Sequence, residues 1–399
     1  MLETVERISS FTATPLAAQP NAGRPRDVEG RNLYLTSPEY MASYARRFIA
    51  SGVRLVGGCC GTTPEHIRQI KAAVIRAAAT AAKSSSVTAP AAVAERSVAT
   101  VPLGERSKLA AALAAGRFVR IVELRPPRGY VSDTLIEQAR ALERAGIDAV
   151  NISEGARGGA RMSALALAVL VQQHTAMETV LQYSCRDRNL LGMQSDLLGA
   201  HLLGIRNILC LTGDYPTVGD HKDAKPVYDL DSVQVMQLVK GFNEGRDLAG
   251  NKLDGVTEYM IGAAVTPEMD PQGPMLAKFE AKVKAGASFF QTQAIYDAAH
   301  FANFMKQIRP FKARVLAGIL LLRSAKMAEF LNANIPGISV PAETIAELRA
   351  AGPKHEQEVG IEIAVRTIKA VRSHCDGVHL MVLKATDKLP DLLTKAQLG

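Results

Sequence analysis

The feature that most limits what this chain can fold into is an alternation, repeated eight times, of a short apolar run and a longer segment with helical spacing. The runs are FVRIVEL (118–124), DAVNIS (148–153), TVLQYSC (179–185), NILCLTGD (207–214), YMIGAAVTP (259–267), SFFQTQAIY (288–296), RVLAGILLL (314–322) and GVHLMVL (377–383). Between them lie helical patterns such as TLIEQARALERAG (134–146) and MLAKFEAKVKAG (275–286). Near-continuous apolar strands suit a parallel sheet covered on both faces. Eight such units in about 280 residues match an α/β fold of the (β/α)8 TIM-barrel type, over about 105–399. A doubly wound sheet would carry a Gly-rich dinucleotide turn after its first strand. Here Arg125-Pro126-Pro127-Arg128-Gly129 stands in that place.

Upstream, residues 78–104 are rich in Ala, Ser and Val with little periodicity, which reads as a linker after a piece spanning 1–77. No apolar run reaches the roughly 18 residues a membrane-spanning helix needs. The N-terminus lacks the basic start and apolar core of a secretory signal. Five cysteines, two of them adjacent, make no disulfide framework, so a reducing, cytoplasmic setting is expected. The net charge is +8, but there is no Trp and no basic run interleaved with aromatics. A small anionic ligand is served equally well by that balance, and neither nucleic acid nor membrane is expected as a partner.

In such barrels the chemistry gathers where strands end and βα loops begin. Those ends carry Glu123, Ser153 with Glu154, Gln182 with Ser184, Arg186 with Asp187, Thr212-Gly213-Asp214, Gln291 with Gln293, and Lys384. A carboxylate inside an apolar strand, as Glu123 is, is either salt-bridged to an arginine or a general acid whose pKa burial has raised. Asp214 follows a glycine, where backbone can approach a ligand closely, or else it forms a turn. Gln293 offers both donor and acceptor to a heterocycle edge. Lys282, on the helix before the sixth strand, reads equally as a solvated lysine.

Composition and spacing end there. The run from about 117 to 385 resembles the methylenetetrahydrofolate reductase family of flavin-dependent barrels. The motifs are IVELRPPRG (121–129), AVNISEGARG (149–158), QYSCRDRN (182–189), LTGDYPTVGD (211–220) with KPVYDLDS (225–232), and KFEAKVKAGASFFQTQAIYD (278–297). Leu124 and Arg125 replace aromatics of the family's first motif, Gln182 stands where His is usual, and Thr212 where some members have Arg. The resemblance implies FAD as cofactor and NADH or NADPH as hydride donor. It implies reduction of 5,10-methylenetetrahydrofolate to 5-methyltetrahydrofolate in one-carbon and methionine metabolism. It assigns catalytic work to Glu123, Asp214 and Gln293. Flavin contacts fall to Ser153, Gln182, Thr212, Gly213, Asp214, Tyr228, Asp231 and Lys282, and folate contacts to Gln293 and Leu383.

AQPNAGRPRDVEG (18–30) and TSPEYMASYARRFIASGVRLVGGCCGTTPEHI (36–67) resemble the end of homocysteine S-methyltransferase domains. There the adjacent cysteines, here Cys59 and Cys60, are zinc ligands. The two domains occur in this order in bifunctional proteins, so residues 1–77 read as a remnant. A stable zinc site takes three or four protein ligands, and no other Cys precedes Cys59, so zinc is doubtful. The nearest extra candidate, His66, reads as a helix-surface residue. Two alternatives stand beside the reductase. One is a flavin barrel that takes electrons from a partner subunit, suggested by the divergent segment after strand seven. The other is a methyltransferase function complemented by a separate N-terminal fragment. Homo-oligomerisation is compatible with every reading.

Overall fold

The computed structural model describes residues 2–9, 12, 14–23, 26–28, 31–34, 36–84, 100–155, 158–214, 219–221, 223–268, 272–335, 337–382 and 385–398. The chain divides into two units, Met1–Ser97 and Val98–Gly399.

The first unit runs α1 (Leu2–Ser9), β1 (Leu16–Ala18), β2 (Arg26–Val28), β3 (Arg31–Leu33), α2 (Pro38–Ala50), β4 (Val53–Val56) and α3 (Pro64–Ser84). β1 and β4 pair in parallel, and β2 and β3 form an antiparallel hairpin. α2 starts at Ser37, whose hydroxyl accepts from the Tyr40 amide, with Pro38 in its first turn. Val5, Ala18, Phe48 and Val53 make one small core, and Ala22, Met41, Ala45 and Ile70 another. α3 continues to Ser84, inside the segment expected as linker. Its Ala-rich sequence is a strong helix former, which the lack of apolar periodicity concealed.

The second unit opens with a 3-10 turn (Leu103–Glu105) and α4 (Lys108–Ala114). Then come β5 (Val119–Leu124), α5 (Asp133–Arg144), β6 (Ala149–Ile152), α6 (Ala164–His174), β7 (Glu178–Ser184), α7 (Leu190–Leu202), β8 (Asn207–Leu211) and α8 (Ser232–Asn243). β9 (Met260–Val265), α9 (Gln272–Lys284), β10 (Phe289–Ala294), α10 (Ala298–Ile308) and β11 (Arg314–Leu320) follow. The last elements are α11 (Ala325–Asn334), α12 (Ala342–Ala351), α13 (Glu356–Val371), β12 (Gly377–Met381) and α14 (Leu389–Lys395). The eight strands β5 to β12 pair in parallel in sequence order and close into a barrel, with His379 of β12 in register with Ile121 of β5. The expected eight β/α units and barrel fold are the ones present.

Side chains alternate across each strand. Val122, Leu124, Val150, Ile152, Val378 and Leu380 face the helices in the larger core. Their neighbours Val119, Ile121, Ala149, Val180, Leu209, Met260, Phe289 and Leu316 fill the barrel's interior near the strands' N-terminal ends. α4 packs Leu109, Ala110, Ala112 and Leu113 onto that layer and plugs this end. Gly262 is required there, because a Cβ would stand 2.3 Å from the Phe289 ring. The opposite end is left as the mouth. The helices begin there, several on capping side chains from Ser163, Asn189, Asp231, Asp297 and Ser324. No helix among the described residues is long and apolar enough to cross a membrane.

Candidate functional site

One layer above the apolar plug, the barrel's interior turns polar. Glu123 of β5, Asn151 of β6, Gln291 of β10 and His379 of β12 meet across the lumen. His379 Nε2 lies 3.6 Å from Glu123 Oε2 and 3.2 Å from Asn151 Nδ2. Gln291 Nε2 lies 3.5 Å from Asn151 Oδ1, the outer limit of a hydrogen bond. Asn151, Gln291 and His379 are buried. Burial pushes the Glu123 carboxyl up to about 7, a rise that Arg125 at the end of the strand partly offsets. Burial also pushes His379 down to about 4. At neutral pH the imidazole is therefore uncharged, and the two side chains are not an ion pair. Glu123 is not salt-bridged to an arginine among the described residues, and its carboxyl has the raised pKa that burial gives.

Above this layer, the loops after β6, β7 and β8 are tied together by two arginines. Arg186, buried, grips both carboxylate oxygens of Asp187 at 2.7 and 2.6 Å and donates to the carbonyls of Gly155 and Asp214. Arg188 bonds Glu154 at 2.7 Å and Asp196 at 2.6 Å, and Glu154 also accepts from the Ser184 amide. Gly213 adopts φ +87°, and a Cβ there would meet Ser184 Oγ at 2.3 Å, so only glycine lets the β8 loop close on β7. The Tyr228 hydroxyl donates to the Gly213 carbonyl at 3.1 Å. The Thr212 and Ser232 hydroxyls are 3.2 Å apart. Asp214 is exposed at the rim, and Gln293 is half-buried at the end of β10.

Two expected contacts carry other duties. Asp231 caps α8 in a reciprocal box with Gln234. Lys282 is no solvated lysine: its ammonium donates to the Ala264 carbonyl at 2.6 Å, and burial with Lys278 nearby lowers its pKa to about 8. It lines a cavity of about 220 Å³ between β9 and α9, with Ala264, Val265, Thr266, Met275, Lys278 and Phe279. Glu123, Asp214 and Gln293 lie outside that cavity. Gln182 is half-buried, on the same strand face as Val180. Leu383 and Lys384 lie outside the described residues.

Sequence reasoning missed His379 and Asn151. Each alternates with apolar neighbours that face the helices, and that parity was the available signal.

In the first unit, Cys59 and Cys60 are exposed with their sulfurs 3.7 Å apart. His66 is buried rather than on the surface. Its Nδ1 lies 2.8 Å from the Thr63 hydroxyl and its Nε2 2.8 Å from the Thr36 carbonyl, so both nitrogens are engaged. Among the described residues no three His, Cys, Asp or Glu side chains converge as metal ligands. The donor set does not fit a zinc ion.

The chain is therefore a plugged (β/α)8 barrel that sets a partly exposed carboxyl in a polar layer beneath the C-terminal ends of its strands. The protein belongs to the methylenetetrahydrofolate reductase family, whose model matches residues 108–397. The model of homocysteine S-methyltransferase matches residues 1–74. Methylenetetrahydrofolate reductase 2 of Schizosaccharomyces pombe is 27% identical over 245 residues, 57% of this chain and 36% of that protein. A probable methylenetetrahydrofolate reductase (NADH) of Oryza sativa is 26% identical over 273 residues, 65% of this chain and 46% of its own length. Methionine synthase of Mycobacterium leprae is 43% identical over 77 residues, 19% of this chain and 6% of that protein. The matched regions therefore span less than half of each of these relatives. Among solved structures, an uncharacterized Clostridium thermocellum protein that binds two copies of 5-methyl-5,6,7,8-tetrahydrofolic acid superposes with a TM-score of 0.50. It is 11% identical and covers 72% of this chain and 98% of its own, a likeness of fold alone.

Proposed function

We propose that this protein reduces 5,10-methylenetetrahydrofolate to 5-methyltetrahydrofolate, using FAD and NAD(P)H. The observation that carries the reading is Glu123, a carboxyl held near pKa 7 at the floor of the mouth. Opening the folate's five-membered ring needs a proton on N10, and a carboxyl still protonated near neutral pH can give it. Burial holds that proton on the carboxyl well above the pH at which an ordinary carboxyl loses it. Family membership supplies the substrate class, and the same fold in the Clostridium thermocellum protein accommodates a 5-methylated folate.

The rim residues suit a flavin. Ser153 Oγ is buried with no hydrogen-bond partner, a polar atom left for a ligand. The Gly213 loop, closed tightly on Ser184, presents backbone at the rim. In this reading Ser153, Gln182, Thr212, Gly213, Tyr228, Asp231 and Lys282 hold the cofactor, with Asp231 contributing from its helix cap. A flavin held there would supply the hydride chemistry between NAD(P)H and the folate's one-carbon unit. Asp214 sets a negative charge where the cationic ring-opened folate forms. Gln293 presents donor and acceptor to the pterin edge, and Leu383 is assigned to the apolar face of the folate. Five free thiols suit a cytoplasmic setting.

The test is Glu123→Gln. The variant is expected to bind flavin and oxidise NAD(P)H while folate reduction falls by about 10²-fold or more. Folate reduction at the wild-type rate would remove Glu123 from the role. A wild-type protein bleached by neither nucleotide would point instead to an electron-delivering partner.

A further inference from the structure

Glu123 does not sit alone at the barrel floor, and the order of its neighbours has a chemical direction. Gln291 turns its amide nitrogen toward Asn151 Oδ1. That orientation leaves Asn151 Nδ2, a donor, facing His379 Nε2 at 3.2 Å. A donor facing a ring nitrogen requires a lone pair on it, so the imidazole proton sits on Nδ1. The same lone pair faces Glu123 Oε2 at 3.6 Å. Two unprotonated acceptors at that separation repel each other, whereas a protonated carboxyl could direct its O–H at the nitrogen after an approach of a few tenths of an ångström. Around the imidazole, β11 presents Gly318 and β5 presents Ile121, neither of them charged. β6 and β10 present Asn151 and Gln291, both neutral amides. Arg125 is the charged side chain that acts on Glu123.

We propose that His379 is a positioning residue that keeps Glu123 in its protonated, proton-donating form. Asn151 and Gln291 make it so by fixing the imidazole as a neutral acceptor. This deepens the reductase reading and rests on it for its purpose, but its geometry belongs to the chain itself. A protonated imidazolium in the same place would do the opposite: it would draw the carboxyl proton away and leave a carboxylate with nothing to give. The neutral amides, where a carboxylate could have stood, are what hold the histidine on the useful side of that choice.

The experiment reads the ring directly. In uniformly 15N-labelled protein, long-range 1H–15N correlations report the tautomer of each histidine, and His379→Gln assigns the signal. The expected result is a neutral Nδ1–H ring between about pH 5.5 and 8. Asn151→Asp should convert it to an imidazolium at pH 7, because a carboxylate there accepts from Nε2–H. The alkaline limb of the folate half-reaction in that variant should then fall by about one pH unit or more, a tenfold loss at pH 8. Gln291→Leu frees the Asn151 amide to turn, and a mixture of tautomers should appear even if Asn151→Asp does not fold. An Nε2–H ring or an imidazolium in the wild type at pH 7, or a ring that stays neutral in Asn151→Asp, overturns the proposal. Absence of folate reduction in the wild type would refute the reductase reading and leave the tautomer result to stand or fall separately.

Discussion

Ionising Glu123 puts a negative charge where water is scarce, and that cost must appear as a pH dependence of stability. Its folded pKa, about 7, lies above the ordinary 4.5, so between those values the folded protein holds a proton the unfolded chain releases. The contribution is therefore fully present below about pH 4.5 and is lost as pH rises through 7. His379 runs the other way. Its pKa falls from 6.5 to about 4, so stability is lost as pH drops through that window. Glu123→Gln removes the first effect and keeps the second. It should gain about 2 kcal/mol on the wild type between pH 5 and pH 8, a figure reduced because the carboxyl keeps 20% of its surface exposed. Urea unfolding at both pH values measures it, and an equal difference at the two would contradict the burial. At this scale Glu123 was legible because a carboxylate in an apolar strand is conspicuous in one dimension. His379 and Asn151 were not, because what makes them matter is that two strands bring residues 228 positions apart to one point. One strand read alone shows a polar residue and not its partner.

At the scale of elements, the strands could be read from the sequence because a parallel barrel buries both faces and writes each strand as an unbroken apolar run. The plug could not. SKLAAALAA (107–115) has no visible reason to lie across the barrel floor. Its anchor is Glu178 at the start of β7, whose carboxylate accepts from the amides of Lys108 at 2.7 Å and Leu109 at 2.9 Å. The same carboxylate takes the Asn207 side chain at 3.1 Å. One residue some 70 positions downstream thus satisfies the first turn of α4, a pairing no local rule supplies. Glu178→Ala should cost about 2 kcal/mol, since it leaves two helix-end donors unpaired and takes one of two acceptors from the buried Asn207 amide, which keeps the Thr179 carbonyl. Denaturation would show it, and Glu178→Gln should recover part of the loss by accepting one of the two backbone bonds. A variant as stable as the wild type would mean the plug is held by its apolar face alone.

At the scale of the whole molecule, the two units differ in how far their sequences can be carried into chemistry. In the barrel, the family match over residues 108–397 falls on a closed eight-stranded scaffold. In the first unit the family match covers residues 1–74, yet among the described residues no three His, Cys, Asp or Glu side chains converge as metal ligands. The Cys59 and Cys60 sulfurs lie 3.7 Å apart on one exposed turn. His66, next along the chain, spends both ring nitrogens on Thr63 and Thr36. The adjacent cysteines were legible as a motif, but whether a motif is a site depends on donors arriving from elsewhere in space. Two thiolates leave half of zinc's tetrahedron to water, and such a site loses metal to a chelator readily. Metal analysis after mild chelation should therefore find well under one zinc per chain, and Cys59→Ser should leave that content unchanged. One tightly held zinc per chain that vanishes in Cys59→Ser would show that further ligands close around the pair, and the first unit would have to be read as a metal centre in its own right.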